Sequence, residues 1–341
     1  MTSKNSTMSV YMIAELSANH GGSLEHALKT IRAMKDAGAD AVKLQTYTAD
    51  TLTIDCDRDE FKVGTGTLWE GRTLYDLYEE AHTPWGWHEA LFAEANNLGM
   101  DCFSTPFDNS AVDFLEQFDP PYYKVASFEL VDLPLIEYIA SKGRPIIMST
   151  GMGSLAEISD AVDVVKAYGV PLTLLKCTSA YPSPPESMNL RTISHLAEAF
   201  GVPTGLSDHT LGIAVPTAAV AMGATVIEKH FTLAREQPGP DSAFSLEPHE
   251  FQAMVDAIRV TEKALGKVCY QRTEKEQAST AFRRSLFVVQ NVEAGETFTS
   301  ENVRSIRPGH GMPPKFLKQI LGRYAKTKIA RGTPLSQSMI I

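Results

Sequence analysis

From residue 11 onward, short apolar runs alternate with stretches of helical periodicity, eight times over. The strand-like runs are 11–15, 40–45, 101–105, 122–126, 145–149, 171–177, 204–207 and 225–230. A helix candidate follows each, near 23–37, 83–98, 109–117, 132–141, 154–168, 189–200, 211–222 and 247–265. Parallel strands need a crossover between them, most simply a helix. Eight βα units in about 255 residues match a (β/α)8 barrel in count and length. The fold class expected is therefore α/β, a (β/α)8 TIM barrel spanning residues 1–265.

Two stretches break the rhythm. Residues 50–82 form an insert after the second strand that carries Trp69, Tyr75 and Tyr78. Loops of this length are often functional lids, although packing alone would also explain the aromatics. Residues 266–282 are polar and charged and read as a linker. Beyond them, Arg284-Ser285-Leu286-Phe287-Val288-Val289, Val292-Glu293-Ala294-Gly295-Glu296 and Val303-Arg304-Ser305-Ile306-Arg307-Pro308-Gly309 are short β segments separated by turns. Residues 283–341 are expected to form a small β-rich domain. A domain under about 60 residues buries little core and is expected to need docking for stability.

The net charge of −10 argues against a nucleic-acid-binding surface. An anionic substrate would have to be held by local cations, since the overall field repels it. Cys56, Cys102, Cys177 and Cys269 show no C-x-x-C spacing, so neither a zinc site nor a disulfide framework is expected. Cys102 and Cys177 read as small core residues. The segment Met1–Val10 is polar, without a signal-peptide core, and no apolar run is long enough for a membrane span. A reducing cytoplasm is the simplest compartment.

Barrel active sites form at the C-terminal ends of the strands. Glu15, Asn19 and His20 stand at the first; Lys43 and Gln45 at the second; Ser104 and Thr105 at the third. Lys124, Ser127 and Glu129 follow at the fourth, and Ser149 and Thr150 at the fifth. The sixth offers Lys176, Thr178, Ser179 and Tyr181. Ser207 and His209, then Glu228 and His230, end the last two, and Asp241 lies in the loop beyond. Any one of these could be a satisfied structural pair. The whole set is harder to explain that way, because buried charges are costly unless paired or used. Alternation puts Ser207 and His209 on one face of their strand, and Glu228 and His230 on one face of the next. Two such histidines can converge on one point and suit a divalent metal, whereas a lone histidine would more often be a hydrogen-bonding core residue. His26, His82, His88, His195, His249 and His310 lie in helices or loops and are given no role.

These motifs resemble the sialic acid synthase family over nearly the whole chain. The marks are Ile13-Ala14-Glu15 with Asn19-His20-Gly21-Gly22, Lys43-Leu44-Gln45, Ser104-Thr105-Pro106-Phe107, Lys124-Val125-Ala126-Ser127 and Ser149-Thr150-Gly151-Met152. Tyr181-Pro182, Gly205–Thr210, Glu228–Phe231 and Gly239-Pro240-Asp241 continue the series. The C-terminal domain looks like a SAF, or antifreeze-like, domain. Within the family, Gln45-Thr46-Tyr47-Thr48, the Leu74-Tyr75-Asp76-Leu77-Tyr78 insert and Asp241-Ser242-Ala243-Phe244 look closest to the branch that makes pseudaminic acid. The neuraminate and legionaminate branches usually carry histidine where this chain has Ser242.

The resemblance implies condensation of phosphoenolpyruvate with an acylamino-sugar aldehyde. Lys43, Thr105, Lys124, Ser127, Ser149 and Ser207 would bind phosphoenolpyruvate. Glu15, with Glu228 as second choice, would orient or deprotonate water. Glu129, Ser179, Tyr181 and Asp241 would contact the sugar. His209 and His230 would hold a divalent metal, Mn²⁺ or Mg²⁺. Arg307 would reach the sugar from a partner subunit, making the protein a domain-swapped homodimer. Within the family, an N-acetylneuraminate or legionaminate synthase acting on another acylamino-sugar stays open, and two rivals from other classes remain open on the residues. One is a pyruvate aldolase with a lysine Schiff base. The other is a carbohydrate- or ice-binding module on an inert scaffold.

Overall fold

Eight parallel strands close on themselves in sequence order. They are β1 (Tyr11–Glu15), β2 (Ala41–Thr46), β3 (Asp101–Pro106), β4 (Tyr123–Val125), β5 (Ile146–Ser149), β6 (Leu172–Cys177), β7 (Thr204–Asp208) and β8 (Val226–His230). The last pairs with the first through Glu15↔His230. This computed structural model describes residues 9–64, 68–237 and 239–341. The outer helices are α1 (Leu24–Asp36), α2 (His88–Asn97), α3 (Asn109–Glu116), α4 (Leu133–Ser141), α5 (Leu155–Ala167), α6 (Arg191–Phe200), α7 (Ala214–Ala221) and α8 (Pro248–Leu265). Each lies within the stretch its periodicity predicts.

Local sequence explains where the helices start. Ser23 accepts from the His26 amide to cap α1, and Asp108 accepts from Ser110 and Ala111 to cap α3. Ser154 and Glu157 form a reciprocal capping box on α5. Each satisfies amides that the first helical turn leaves without partners. Between helices and strands runs one continuous apolar layer that includes Met12, Ala14, Ile31, Val42, Leu44, Leu174, Leu206 and Ile227.

The inside of the barrel has a different texture. Ile13, Ala41, Phe103, Ile147, Leu175 and Val226 form an apolar floor. Strand side chains alternate, so the residue two positions on returns to the same face. Two positions on stand Glu15, Lys43, Thr105, Ser149, Cys177 and Glu228. The floor therefore fixes which side chains face the mouth.

The insert has structure of its own, with a short helix Ala49–Leu52 and a helix Leu74–Ala81 joined by a bridge between Lys62 and Thr73. Trp69 donates its indole N–H to the Pro240 carbonyl at 3.1 Å and packs against Tyr181 with ring centroids 5.8 Å apart. These contacts bring it over strand-end loops, as a lid would be.

The chain divides into two units, Met1–Gly266 and Lys267–Ile341. The second contains the segment read as a linker, which carries a short helix, Glu274–Ser279. Its sheet is an antiparallel pair, β9 (Ser285–Val288) and β10 (Val303–Ile306). Leu286, Val288, Val292, Phe298, Val303, Ile320, Ala325, Ile329 and Leu335 fill its core.

Gly205 shows how tight the barrel wall is. A Cβ there would lie 2.3 Å from the Val226 carbonyl oxygen and 2.7 Å from Leu175 Cδ2. The backbone atom cannot yield without opening the β7–β8 pairing. Gly205→Ala should cost about 1–3 kcal/mol, as overpacking of a filled core does. Chemical denaturation measures it, and an unchanged midpoint would mean that the wall is softer than these distances state.

Candidate active site at the barrel mouth

A chain of buried charges crosses the mouth. Lys43 Nζ lies 2.9 Å from Glu15 Oε1 and 3.4 Å from Glu228 Oε1. Glu228 Oε2 is 3.9 Å from Lys124 Nζ, which also donates to Ser149 Oγ at 2.7 Å. Glu228 accepts from Ser207 Oγ at 2.8 Å. Glu15 accepts from Gln45 Nε2 at 2.8 Å, and its other oxygen is 3.2 Å from His230 Nε2. All four charged side chains are at most 4 % exposed.

Their environments separate them. Burial alone would raise the Glu15 carboxyl, but His230, Lys43 and Gln45 outweigh it and hold it well below the ordinary carboxylate range. Burial would lower Lys43, yet Glu15 and Glu228 keep its ammonium above the usual value. For Lys124 burial wins, with Lys43 adding repulsion, and its ammonium is pushed down. The two lysines, both set against Glu228, thus differ in their hold on their protons.

Hydroxyls stand beside them. Ser127 Oγ accepts from the Gly151 amide at 3.1 Å. A Cβ on Gly151 would fall 2.6 Å from Ser127 Oγ and 2.4 Å from Ser179 Oγ, so glycine lets these two hydroxyls flank the loop. Thr105 Oγ1 is buried without a hydrogen-bond partner. Among the described residues, buried side-chain polar atoms without a partner belong to Asn19, Thr83, His88, Thr105, Glu129, Glu228 and His230. Four of these seven, Thr105, Glu129, Glu228 and His230, are residues to which the sequence gives a role, and Asn19 is a fifth strand-end residue. Such atoms are rare in finished cores, so their gathering points to a ligand.

The two strand-end histidines converge. Their ring centroids are 5.3 Å apart. His209 Nδ1 lies 3.2 Å from the Thr178 carbonyl, a contact that orients the ring and leaves Nε2 for another partner. His230 Nδ1 is buried, unpartnered and 3.9 Å from Asp241 Oδ2. Among the described residues no group of three His, Cys, Asp or Glu side chains is arranged to hold a metal ion by itself. The donor set fits a cation that takes two imidazoles and draws its remaining ligands from water or substrate oxygens.

The rim is aromatic and polar. Tyr181 packs edge-on against His209 at 4.6 Å, and Phe244 against His230 at 4.9 Å. Asp241 accepts hydrogen bonds from Ser17 Oγ and from the Ala18 amide, which ties its loop to the end of β1. Ser242 is buried and donates to the Gly239 carbonyl at 3.1 Å.

Glu15, Lys43, Lys124, Ser149, Ser207 and Glu228 are thus joined in one hydrogen-bonded and ion-paired network. His209, His230, Tyr181 and Asp241 adjoin it, and Ser127 and Ser179 flank Gly151. Two sequence readings change. Cys177, read as core, faces the mouth, with Sγ 3.9 Å from His209 Nδ1. Burial would raise its thiol, but His209, Ser127 and Lys124 outweigh this and bring it to about 7. Lys176, read as a strand-end site group, donates to Thr178 Oγ1 and lines a cavity of about 790 Å³ shared with Glu186, Asn189 and Arg191. The register pair Cys177↔Ser207 decides between them. Phe244, quoted above only as part of a motif, carries no role in the sequence reading, because its contacts with both imidazoles span too much sequence to be read from a pattern. Arg307, in the second unit, is exposed at the end of β10.

Known proteins resemble this chain over nearly its whole length. The NeuB family profile matches residues 30–270, and the SAF domain profile matches residues 283–341. A protein of Campylobacter jejuni subsp. jejuni named pseudaminic acid synthase is 48 % identical over 335 residues, covering 98 % of this chain and 97 % of that one. An N,N'-diacetyllegionaminic acid synthase of Legionella pneumophila subsp. pneumophila is 38 % identical, covering 97 % and 95 %. The crystal structure of an N-acetylneuraminic acid synthetase from Leptospira borgpetersenii superposes with a TM-score of 0.71 at 32 % identity, covering 80 % of this chain and 90 % of that one.

Burial raises the Glu129 carboxyl from 4.5 to about 7. A raised acid adds stability in full below pH 4.5 and loses it as pH rises through about 7. Between pH 5 and pH 8 this loss should amount to roughly 2–3 kcal/mol, since each tenfold change in proton affinity is worth about 1.4 kcal/mol. Glu129→Gln should remove that part of the slope. Denaturant unfolding of both proteins at the two pH values tests it, and parallel pH dependence would refute the assignment.

Proposed function

The chain belongs to the NeuB family, and from that premise we propose that it joins phosphoenolpyruvate, water and 2,4-diacetamido-2,4,6-trideoxy-L-altrose to give pseudaminic acid and phosphate. The observation that carries the chemistry is the pair of buried lysines, both set against Glu228 beside a group of hydroxyls. In a chain of net charge −10 an anion must find local cations, and these two lysines, balanced by Glu15 and Glu228, are buried where hydroxyls can add hydrogen bonds. The sugar is supported by the 48 % identity to a named pseudaminic acid synthase, above the 38 % to a legionaminic acid synthase. By the motif resemblance, Ser242 would stand where the legionaminate branch usually has histidine.

Phosphoenolpyruvate carries about three negative charges near neutral pH. Lys43 and Lys124 would take its phosphate and carboxylate, while Thr105, Ser127, Ser149 and Ser207 donate hydrogen bonds. Glu129, Ser179, Tyr181 and Asp241 would hold the sugar with its aldehyde towards the two imidazoles. A divalent cation on His209 and His230 would polarise that aldehyde as a Lewis acid, and imidazole donors suit Mn²⁺ better than Mg²⁺. C3 of phosphoenolpyruvate attacks the aldehyde carbon, and positive charge develops at C2. Water adds there, and the tetrahedral intermediate expels phosphate by C–O cleavage. Glu15 would orient that water and take its proton, with Glu228 as second choice. The low proton affinity of Glu15 rests on Lys43 and His230. An anion that draws Lys43 towards itself would loosen this hold and make Glu15 a better base when substrate is bound.

Phosphate release measured over a panel of acylamino sugars tests this reading. Turnover should require the diacetamido-altrose, with kcat/KM far above that for N-acetylmannosamine, and should vanish on chelation and in His209→Ala. Comparable values for the two sugars would overturn the substrate. Full activity after chelation would overturn the metal. Borohydride trapping of pyruvate on Lys124 would favour the aldolase reading.

The assembly we propose is a domain-swapped homodimer in the cytoplasm, where the substrate phosphoenolpyruvate is made. No helix among the described residues is long and apolar enough to cross a membrane. Arg307 is an exposed cation that makes no ion pair with the described residues. It would enter the partner's mouth and contact the sugar. Mixing an Arg307→Ala chain with a His209→Ala chain should therefore restore activity, because one barrel then has both its own imidazoles and an intact borrowed arginine. Arg307→Ala alone should be inactive, and an active Arg307→Ala protein would put Arg307 outside the site; verified heterodimers that stay inactive would place it in cis.

A further inference from the structure

Immediately behind the two imidazoles, on the opposite face of the strands, lies a second ion pair. Asp208 stands between Ser207 and His209, and Lys229 between Glu228 and His230. Alternation turns these two side chains away from the mouth. They are register partners in the β7–β8 ladder. Lys229 is 0 % exposed and Asp208 1 %.

Their bonds straddle His209. Lys229 Nζ donates to Asp208 Oδ2 at 2.5 Å and to the Thr210 carbonyl. Asp208 Oδ1 accepts from the Thr210 amide at 3.0 Å, and Oδ2 accepts from Thr210 Oγ1 at 3.1 Å. The residues before and after His209 are therefore bolted to Lys229, the neighbour of His230. The Ser183 amide donates to the His209 carbonyl at 2.9 Å and closes the turn from a third side.

Such a pair is a poor device for stability. Taking two charges out of water costs about as much as their attraction returns, and apolar replacements are often neutral. Its value is geometric, since it fixes one strand end against the next. We propose that Asp208 and Lys229 are positioning residues that hold His209 and His230 at the separation a divalent cation needs. This rests on the reading that those histidines bind a metal. Outer partners that orient metal ligands typically govern affinity by 10–100-fold.

The test is Mn²⁺ titration of the metal-free full-length protein, with the electron paramagnetic resonance signal of free Mn²⁺ as the readout. Asp208→Asn combined with Lys229→Met removes both charges and leaves neither stranded. The double variant should bind Mn²⁺ at least tenfold more weakly, while its KM for phosphoenolpyruvate at saturating Mn²⁺ stays within about twofold, because Lys43 and Lys124 are untouched. Affinity within twofold of the parent in a folded double variant would overturn the proposal. If that variant does not fold, Asp208→Asn alone is judged by the direction of the same shift, and unchanged affinity there overturns it too. His209→Ala is the control on the premise. If it binds Mn²⁺ as well as the parent, the two-histidine site itself is wrong and the positioning role falls with it.

Discussion

The placement of Lys43 between two carboxylates is the constraint on which the mouth depends. With Glu15 on one side and Glu228 on the other, it joins β1, β2 and β8 across the barrel interior. Removing one member of a buried pair typically costs about 3–5 kcal/mol, because the other charge is left without compensation. The network is held in one arrangement for that reason. It also leaves capacity to spare: Glu228 Oε2, Thr105 Oγ1 and His230 Nδ1 are buried without hydrogen-bond partners. A charged network that is held in place yet incompletely satisfied is preorganised, and binding can use its open positions with little rearrangement.

That network can exist because the floor beneath it is apolar and full. Phe103 and Ile147 close the barrel from below, and Gly205 lets β7 approach β8 at a distance that excludes a side chain. Water is kept from the lower side, so the interactions above act in a medium of low dielectric. Above, Trp69 of the insert packs on Tyr181, and Phe244 packs on both imidazoles. Between these apolar layers the charges of Lys43 and Glu15 survive because each has the other as a partner, whereas Glu129, which has no cation within ion-pair distance among the described residues, is pushed towards its neutral form.

The barrel was legible because buried parallel strands must be apolar along their length and must be separated by helices. Caps such as Ser23 and Ser154 mark helix starts within a residue or two of their predicted positions. Strand-end chemistry was legible for the same reason, since Glu15, Lys43 and Glu228 interrupt apolar runs at one level. Inward and outward were less so. In Lys176-Cys177 the alternation requires one side chain in and one out, and only the register with Ser207 says which. Contacts of long sequence separation, such as Trp69 with Pro240 or Asp241 with Ser17, left no periodic trace. Asp208 and Lys229 were hidden differently: each sits beside a more conspicuous residue, and a charge pointing away from a site looks like a solvated one until its burial is known.

The strand period of two therefore divides the labour at the ends of β7 and β8. On the proposed function, inward side chains carry groups that would change partners during the reaction, and these gain from being incompletely satisfied. The outward pair carries groups that must not change partners, and Asp208 accordingly has both of its oxygens engaged. A single five-residue strand can serve both needs because its two faces meet different surroundings, the mouth on one side and the helix-packed layer on the other. A substitution at position 229 would then act on His230 through the backbone they share, with no contact to substrate. Sequence neighbours of catalytic groups in a barrel are for this reason poor choices as inert controls, even when their side chains point the other way.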